Sequence, residues 1–305
     1  MFFCTLRLLS AALALLLLSS SASGGAHAGA SERTDVDDRG KAVTLAQPAQ
    51  RVVALAPNLA ELVADAGAGA ALVGVVRGSD YPSSLSRLPL VGDAAGIDIE
   101  RVFALRPDLI LAWRSGNRAG DIATLEQLGM RVFVVEPDDL VSVGRLLRRL
   151  GALLGTAKAA NRVAADYEAK LAALTQAKGA SAPVSAFVQI WDAPLMTVNG
   201  KHLISDVLAR CGARNVFDDL PVLAGSVSIE AVLARDPALI IAALPPGRQP
   251  ERQWARWQRL QAVRSGRIYA IDPDLLARST PRILLGLQQV CMWVAQARNQ
   301  LRPAQ

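Results

Sequence analysis

The sequence predicts an α/β protein of two Rossmann-like lobes, joined by a single long helix, with a ligand cleft between the lobes. Short apolar segments alternate with longer amphipathic ones along most of the chain, and one long amphipathic segment lies in mid-chain. In addition, a helix–strand unit occurs twice, in residues 97–113 and 227–243. Continuous hydrophobicity is typical of strands in a parallel sheet that helices cover on both faces. With 305 residues, of which 51% are hydrophobic, the chain can build the cores of two lobes.

The first 28 residues have the three parts of a secretory signal peptide. Arg7 precedes an apolar run from Leu8 to Leu18, and the small-x-small sequence Ala26-His27-Ala28 follows. The apolar run is too short to span the ~30 Å of a bilayer's hydrocarbon core. We therefore expect cleavage near Ala28 and an exported protein, in which residues 29–50 form an N-terminal extension.

Residues 51–140 are predicted to form the N-terminal α/β lobe. Its strands are short apolar runs at Arg51–Ala56, Leu72–Val76, Leu109–Trp113 and Arg131–Val135. The amphipathic segments between them predict helices over 57–70, 98–106 and 117–128. This alternation of strand and helix predicts a parallel sheet.

Residues 141–182 are predicted to form a helical connector that includes a long helix over 156–179. Thr156 is a suitable N-cap residue for that helix. Apolar residues then recur at spacings of 4, 4 and 3, namely Val163, Tyr167, Leu171 and Leu174. The helix is expected to end near Gly179, since Pro183 follows.

Residues 183–305 are predicted to form the C-terminal α/β lobe. Its apolar runs predict strands at Ser185–Trp191, Ala238–Ala243 and Arg267–Ile271. Its amphipathic segments predict helices over 203–211, 228–235, 250–262 and 281–300.

The repeated unit carries a matched pair of acidic residues, Glu100 and Glu230. Most identities between the two copies are apolar core positions, but these carboxylates lie in the first turn of each predicted helix. One interpretation is that they complement the helix dipole. The other is that each lobe presents one acidic group to a partner.

Charge and residue counts exclude several classes of function. The net charge is +6, but the basic residues are dispersed, whereas a phosphate-binding face gathers them. The densest basic group, Arg145 with Arg148 and Arg149, is interpreted as the solvent-facing side of a helix. We therefore expect no nucleic-acid partner. The chain contains only two histidines, so no metal site is predicted.

The sequence contains none of the catalytic motifs that would indicate an enzyme. There is no Gly-x-Ser-x-Gly elbow and no phosphate-binding loop with a lysine. Gly67-Ala68-Gly69 resembles the start of a dinucleotide fingerprint, but Leu72 occupies the position of the third glycine. We expect neither catalysis nor a cofactor.

Aromatic and polar residues lie just beyond several predicted strands. They are Tyr81, Trp113, Arg114, Trp191, Asp274 and Arg278. In open α/β sheets, ligands bind beyond the carboxyl ends of the strands, so these residues are predicted to meet at the cleft. Flat aromatic faces with a few polar groups suit a large planar ligand. The alternative is that Trp113 and Trp191 pack in the interior.

Two cysteines remain when the predicted signal peptide, which contains Cys4, is removed. In an oxidising compartment Cys211 and Cys291 are consistent with one structural disulfide. The alternative is two buried free thiols.

The chain resembles the periplasmic binding proteins of ABC importers, and among them the cobalamin-binding members, over roughly residues 50–300. In the N-terminal lobe the resemblance rests on Ser79-Asp80-Tyr81-Pro82, Ile99-Glu100-Arg101, Leu105-Arg106-Pro107-Asp108-Leu109 and Ala112-Trp113-Arg114. In the C-terminal lobe it rests on Val207-Leu208, Cys211-Gly212, Ser228, Glu230-Ala231-Val232-Leu233-Ala234-Arg235, Ser279 and Pro281-Arg282-Ile283.

The resemblance implies a role for several of these residues. Tyr81 and Trp113 would pack against a corrin ring, and Asp274 and Arg278 would add polar contacts. Glu100 and Glu230 would dock on arginines of the permease subunits in the inner membrane. Cys211 and Cys291 match the family's disulfide. A monomer that binds a corrinoid is expected.

The ligand assignment has alternatives, because the sequence departs from the family at two positions. Ala94 and Ala224 stand where the best-known members have tryptophans that line the ligand, which makes a related corrinoid such as cobinamide more plausible. Ferric siderophores and haem are bound on the same fold. Tyr81 is a possible haem ligand, and Arg114 with Arg278 suits an anionic siderophore. An exported enzyme acting on a tetrapyrrole or a sugar is the alternative from another class.

Overall fold

The structure is a computed structural model, and it describes residues 32–93, 95–175, 182–245 and 247–301. The predicted signal peptide, Ala94 and the end of the predicted helix 156–179 lie outside these residues. The strands are β1 (Arg33–Val36), β2 (Ala42–Leu45), β3 (Val52–Ala54), β4 (Leu72–Val75), β5 (Gly92–Asp93), β6 (Gly96–Ile97), β7 (Leu109–Trp113), β8 (Val132–Val135), β9 (Val184–Gln189), β10 (Trp191–Asp192), β11 (Leu195–Val198), β12 (Ala213–Asn215), β13 (Ala224–Ser226), β14 (Leu239–Ala243) and β15 (Ile268–Ile271).

The helices lie between these strands in the alternation that the sequence predicts. They are α1 (Pro57–Asp65), α2 (Ile99–Ala104), α3 (Ala119–Gln127), α4 (Leu140–Leu154), α5 (Ala157–Thr175), α6 (Leu203–Arg210), α7 (Ile229–Arg235), α8 (Pro250–Trp254), α9 (Gln261–Arg264), α10 (Pro273–Leu276) and α11 (Ile283–Leu301). Short 3-10 helices cover Gly69–Ala71 and Ser83–Arg87.

Two parallel sheets define the two lobes and confirm the predicted fold class. The N-terminal lobe is built on the sheet β4-β3-β7-β8, and the C-terminal lobe on β12-β9-β14-β15. In each sheet the first strand of the lobe lies second in the order, with the next strand of the sheet on one side of it and the two later strands on the other. The lobes therefore have the same topology.

The repeated sequence unit has the same structure in both lobes. Asp98 and Ser228 cap α2 and α7, and each side chain accepts a hydrogen bond from the backbone N–H three residues on. After each helix, Arg106 (φ 47°) and Asp236 (φ 37°) take the left-handed conformation, and a proline follows. The unit ends in β7 or β14, the third strand of its sheet.

The connector consists of two helices packed side by side. The predicted long helix is α5, and α4 precedes it, beginning with a capping box at Asp139 and ending at Gly155 in the left-handed conformation. Tyr167 of α5 is fully buried and donates a hydrogen bond from its hydroxyl to the Leu140 carbonyl oxygen (2.7 Å). Buried residues of α4, α5 and both sheets belong to one continuous apolar core.

Several local predictions differ from the structure; the helix predicted over 57–70, for example, ends at Asp65. Arg149 is only partly exposed: its guanidinium pairs with Asp35 (2.9 Å) and Asp38 (2.6 Å) of the N-terminal extension, a long-range contact that a helical pattern does not reveal. The predicted helix 250–262 is two short helices, since the chain turns to bury both Trp254 and Leu260. The predicted strand Ser185–Trp191 ends at Gln189.

The predicted disulfide is present between Cys211, at the end of α6, and Cys291 of α11, with their Cα atoms 4.6 Å apart. In the part of the chain that the structure describes, no helix has both the length and the apolar character that crossing a bilayer requires. The same residues contain no group of three or more His, Cys, Asp or Glu side chains placed to hold a metal ion.

Candidate functional site

A cavity of about 610 Å³ lies between the two lobes, within the usual range for ligand pockets. We call it the interlobe cavity. The N-terminal lobe and the start of α4 contribute Trp113, Arg114, Glu136, Pro137, Asp138 and Asp139. The C-terminal lobe contributes Gly200, Lys201, His202, Leu203, Ser205, Asp206, Ala209, Leu223, Ala277 and Ser279. The cavity thus lies beyond the carboxyl ends of β7 and β8, where an open α/β sheet binds its ligand.

Trp113 is the aromatic residue in the cavity wall, and its ring is held in place from several sides. The indole Nε1 donates a hydrogen bond to Glu136 Oε1 (3.0 Å), while the backbone N–H of Trp113 donates to Asn117 Oδ1 (2.7 Å). A Cβ atom at Gly116 would lie 2.6 Å from Cζ3 of the ring, so only glycine fits there. The ring is half-buried and packs partly on the core, which leaves its remaining surface for the cavity.

Glu136 is the carboxylate that organises this wall. Besides the indole, it accepts hydrogen bonds from the backbone N–H (2.7 Å) and the hydroxyl (2.9 Å) of Ser115. Arg114 Nε lies 3.9 Å from Glu136 Oε2, and Arg114 Nη1 donates a hydrogen bond to the Asp38 carbonyl oxygen (3.3 Å). Arg114 remains largely exposed, so its guanidinium can still reach a ligand.

Three of the sequence-predicted residues, Tyr81, Asp274 and Arg278, lie where the lobes touch but do not contribute to the wall of the interlobe cavity. Arg278 pairs with Asp274 (2.8 Å) in its own lobe and with Asp80 (3.3 Å) in the N-terminal lobe. It also donates to the Gly78 carbonyl oxygen (3.0 Å). Burial raises the pKa of the Asp274 carboxyl, and the Arg278 guanidinium opposes that shift. Next to Asp80, the Tyr81 ring is 45% exposed and is covered on one side by the Arg282 guanidinium.

Trp191 lies apart from this group. It is on the short antiparallel strand β10, is 51% exposed, and donates from Nε1 to the Ala193 carbonyl oxygen (3.0 Å). It is neither interior packing nor part of the wall of the interlobe cavity. Ala224 is exposed on β13, next to Leu223 of the cavity wall.

Sequence reasoning did not select several polar residues of the cavity as site residues, among them Glu136, Lys201, His202 and Asp206. The signal for Glu136 was available, because it directly follows the last strand of the N-terminal sheet. Asp206 accepts from the backbone N–H of Leu140 (2.9 Å), which joins α6 to the start of α4. The two residues are 66 positions apart, so no local pattern in the sequence predicts their contact.

His202 is the N-cap of α6, directly after the segment Asn199-Gly200-Lys201. Its Nδ1 accepts a hydrogen bond from the Ile204 backbone N–H (3.1 Å), which places the ring proton on Nε2. Burial lowers the pKa of His202 to about 4, so the ring is neutral at physiological pH. A neutral ring of this tautomer offers the ligand one N–H donor.

Glu100 and Glu230 are both exposed in the first turns of α2 and α7. Hydrogen bonds from its own backbone and from Ser228 lower the pKa of Glu230. Neither carboxylate contributes to the wall of the interlobe cavity, so both are available to a partner outside it.

The chain is similar to known proteins across both lobes. A family profile described as "Periplasmic binding protein" matches residues 52–275. The vitamin B12-binding protein of Vibrio vulnificus (strain CMCP6) is 34% identical over 248 residues, which cover 81% of this chain and 90% of that protein. The crystal structure of the periplasmic vitamin B12 binding protein BtuF of Vibrio cholerae has a TM-score of 0.77 and 33% identity, and the match covers 83% of this chain and 99% of that one. A periplasmic heme binding protein from Pseudomonas aeruginosa has a TM-score of 0.67 and 27% identity, over 84% and 95% of the two chains.

Proposed function

Because this chain belongs to the periplasmic binding protein family, we propose that it captures cobalamin or a related corrinoid between its lobes and delivers it to the permease of an ABC importer. The profile match over residues 52–275 and the relative at 34% identity confirm the family that the sequence motifs indicate. One observation carries the choice of ligand: an indole held by Glu136 forms part of an interlobe cavity of about 610 Å³, in a chain whose relatives at 33–34% identity bind vitamin B12.

The proposed binding mode assigns the ring faces of the ligand to aromatic side chains. Trp113 in the cavity and the exposed Tyr81 ring offer flat apolar surface to the corrin macrocycle. Trp191, which is 51% exposed on β10, would contact a part of the ligand that extends beyond the cavity. The alanine at position 224 leaves room beside the cavity for a differently substituted corrinoid.

The polar groups suit the periphery of a corrinoid, which carries amide side chains that both donate and accept hydrogen bonds. Arg114, Lys201 and His202 supply donors around the cavity, while Glu136 and Asp138 supply acceptors. Asp274 and Arg278 form a charged pair where the lobes meet and would contact amides at the rim. A few directional groups of this kind fix the orientation of a ligand that apolar contact binds.

We further propose that the protein is exported as a monomer, with cleavage near Ala28, and that it returns its ligand chemically unchanged, without a cofactor. Glu100 and Glu230, one on each lobe, would dock on arginines of the permease. Replacing both by alanine should leave ligand binding intact and abolish uptake in a transport assay. Glu251→Ala, an exposed acid on α8, is the matched control. Unchanged uptake in the double variant would exclude the docking role.

The ligand is tested by calorimetric titration with cyanocobalamin, cobinamide, haem and a ferric siderophore. We expect one-to-one binding of a corrinoid with submicromolar affinity. Trp113→Ala should weaken it about fivefold or more, since a buried aromatic contact contributes about 1 kcal/mol or more. Binding of haem or the siderophore alone would keep the importer role and reject the corrinoid. Turnover of a tetrapyrrole would reject the binding-protein role.

A further inference from the structure

A buried carboxylate of the N-terminal lobe accepts its side-chain hydrogen bonds from residues of the C-terminal lobe. Glu61 of α1 is fully buried, and its carboxylate accepts hydrogen bonds from Thr280 Oγ1 (2.6 Å) and from Arg282 Nε and Nη2 (2.7 Å each). A buried carboxylate is stable only when such bonds replace its hydration. A second bond between the lobes, from Asn58 Nδ2 to Ser279 Oγ (3.2 Å), lies beside it.

The same arginine also supports an aromatic ring that belongs to the N-terminal lobe. The Arg282 Cζ lies 3.8 Å from the centroid of the Tyr81 ring, which is the distance of a stacked cation–π contact. A guanidinium can do both at once, because it bonds a carboxylate with its edge and stacks with its plane. One face of the ring is thus covered by Arg282, and the ring remains 45% exposed.

We propose that Glu61 and Arg282 are positioning residues that hold the Tyr81 ring for the ligand. Glu61 of the N-terminal lobe orients Arg282 of the C-terminal lobe, and Arg282 in turn orients Tyr81 of the N-terminal lobe. The inference rests on the proposed function, in which Tyr81 contacts the ligand. The segment Thr280–Arg282 of the C-terminal lobe contacts two separate segments of the N-terminal lobe, namely α1 and the loop that carries Tyr81. The ligand-facing surface of Tyr81 therefore depends on the arrangement of the two lobes.

Fluorine NMR tests the positioning without any ligand. The chain has three tyrosines, so the protein labelled with 3-fluorotyrosine gives three resonances, and Tyr81→Phe identifies one of them. Arg282→Lys keeps a charge near Glu61 but loses the planar stack. We expect it to move the Tyr81 resonance and to leave those of Tyr167 and Tyr269 in place. An unmoved Tyr81 resonance would overturn the proposal.

A matched control exists in the C-terminal lobe. Arg235 stacks on the Phe217 ring at 4.3 Å and pairs with Asp219 at 2.8 Å, remote from Tyr81. Arg235→Lys should leave the Tyr81 resonance and corrinoid binding unchanged. If Arg282→Lys fails to fold, Glu61→Met with Arg282→Met removes the buried pair without leaving an unpaired charge, and the same shift is expected.

A double-mutant cycle then tests whether Arg282 acts through Tyr81. Arg282→Lys should weaken cyanocobalamin binding about fivefold, which lies within the range of a cation–π contact. In the Tyr81→Ala background the same change should alter affinity less than about twofold, because non-additivity marks coupled residues. Equal losses in both backgrounds would overturn the proposal. Failure of the wild-type protein to bind any corrinoid would instead reject the proposed function, and the NMR experiment would still decide the positioning.

Discussion

The indole Nε1 of Trp113 donates a hydrogen bond to Glu136 Oε1 across 3.0 Å, in the wall of the interlobe cavity. The two residues are adjacent because β7 and β8 are neighbouring parallel strands in which Trp113 pairs with Val135. Glu136 then follows at the carboxyl end of β8. The bond fixes the indole edge, and the ring face is thereby presented to the cavity.

Removing the Glu136 carboxylate should therefore weaken corrinoid binding. We expect Glu136→Ala to raise the dissociation constant about tenfold, because the indole N–H loses a partner bonded through a charged group. Glu136→Gln keeps an acceptor for the indole and should have a smaller effect. Calorimetric titration measures both. Glu168→Gln, on an acid that pairs with Arg148 away from the cavity, is the control; an unchanged dissociation constant in Glu136→Ala would contradict the prediction.

His202 should make the protein less stable as the pH falls. Burial lowers its pKa to about 4 in the folded protein, against about 6.5 when unfolded, so the unfolded state binds the extra proton between these values. Stability is then lost as the pH drops from about 6.5 to 4. His202→Asn keeps an N-cap acceptor and does not titrate. Urea unfolding should show that the wild type loses on the order of 2 kcal/mol more than this variant between pH 7 and 4. If the free energies of unfolding of the wild type and His202→Asn changed in parallel with pH, the lowered pKa of His202 would be refuted.

Asp65 should destabilise the fold above pH 6. Burial and the nearby Glu61 raise its pKa to about 6, so the folded state holds a proton that the unfolded state releases near pH 4. The stabilisation is present below pH 4 and is lost as the pH rises through 6. Asp65→Asn should raise the free energy of unfolding by about 1–2 kcal/mol at pH 7.5, with the gain vanishing at pH 4. Asp166→Asn, on an exposed acid paired with Lys170, should change it by less than about 0.5 kcal/mol.

Loss of the disulfide should destabilise the C-terminal lobe. The bond joins residues 80 apart in sequence and ties α6 to α11. Cys211→Ala with Cys291→Ala should lower the free energy of unfolding by about 2–4 kcal/mol, since the unfolded chain regains the entropy of an open loop. Denaturant unfolding with and without a reductant measures this. A reductant should destabilise the wild type and leave the double variant unchanged; a wild type insensitive to full reduction would contradict the prediction.

The predicted strands and helices agree with the structure where the signal is local. The strand Leu109–Trp113 has the predicted bounds, and α2 and α7 begin at capping residues that are visible in the sequence. Predictions failed where packing overrides a local pattern. Trp254 is drawn into the core, donates to Gln189 Oε1 (2.9 Å), and ends α8 early.

The candidate site divides in the same way. Trp113, Tyr81 and Arg278 were selected because each ends or follows a strand, a position that the sequence shows directly. Trp191 was selected by the same rule, but the strand before it ends at Gln189, and Trp191 does not contribute to the wall of the interlobe cavity. Glu61 carried no signal, because a carboxylate in an amphipathic helix is usually solvated. Arg282 belonged to the motif Pro281-Arg282-Ile283, but that motif did not indicate its partners.

By itself, the sequence determined the fold class, the duplication of the lobes and the pair of cysteines, because hydrophobic period, helix caps and residue counts are local or additive properties. Only the tertiary structure decided which polar groups meet. Glu136 lies 23 residues from Trp113, and Arg282 lies 221 residues from Glu61. Strand register sets the first contact and the docking of the two lobes sets the second, and neither leaves a pattern along the chain.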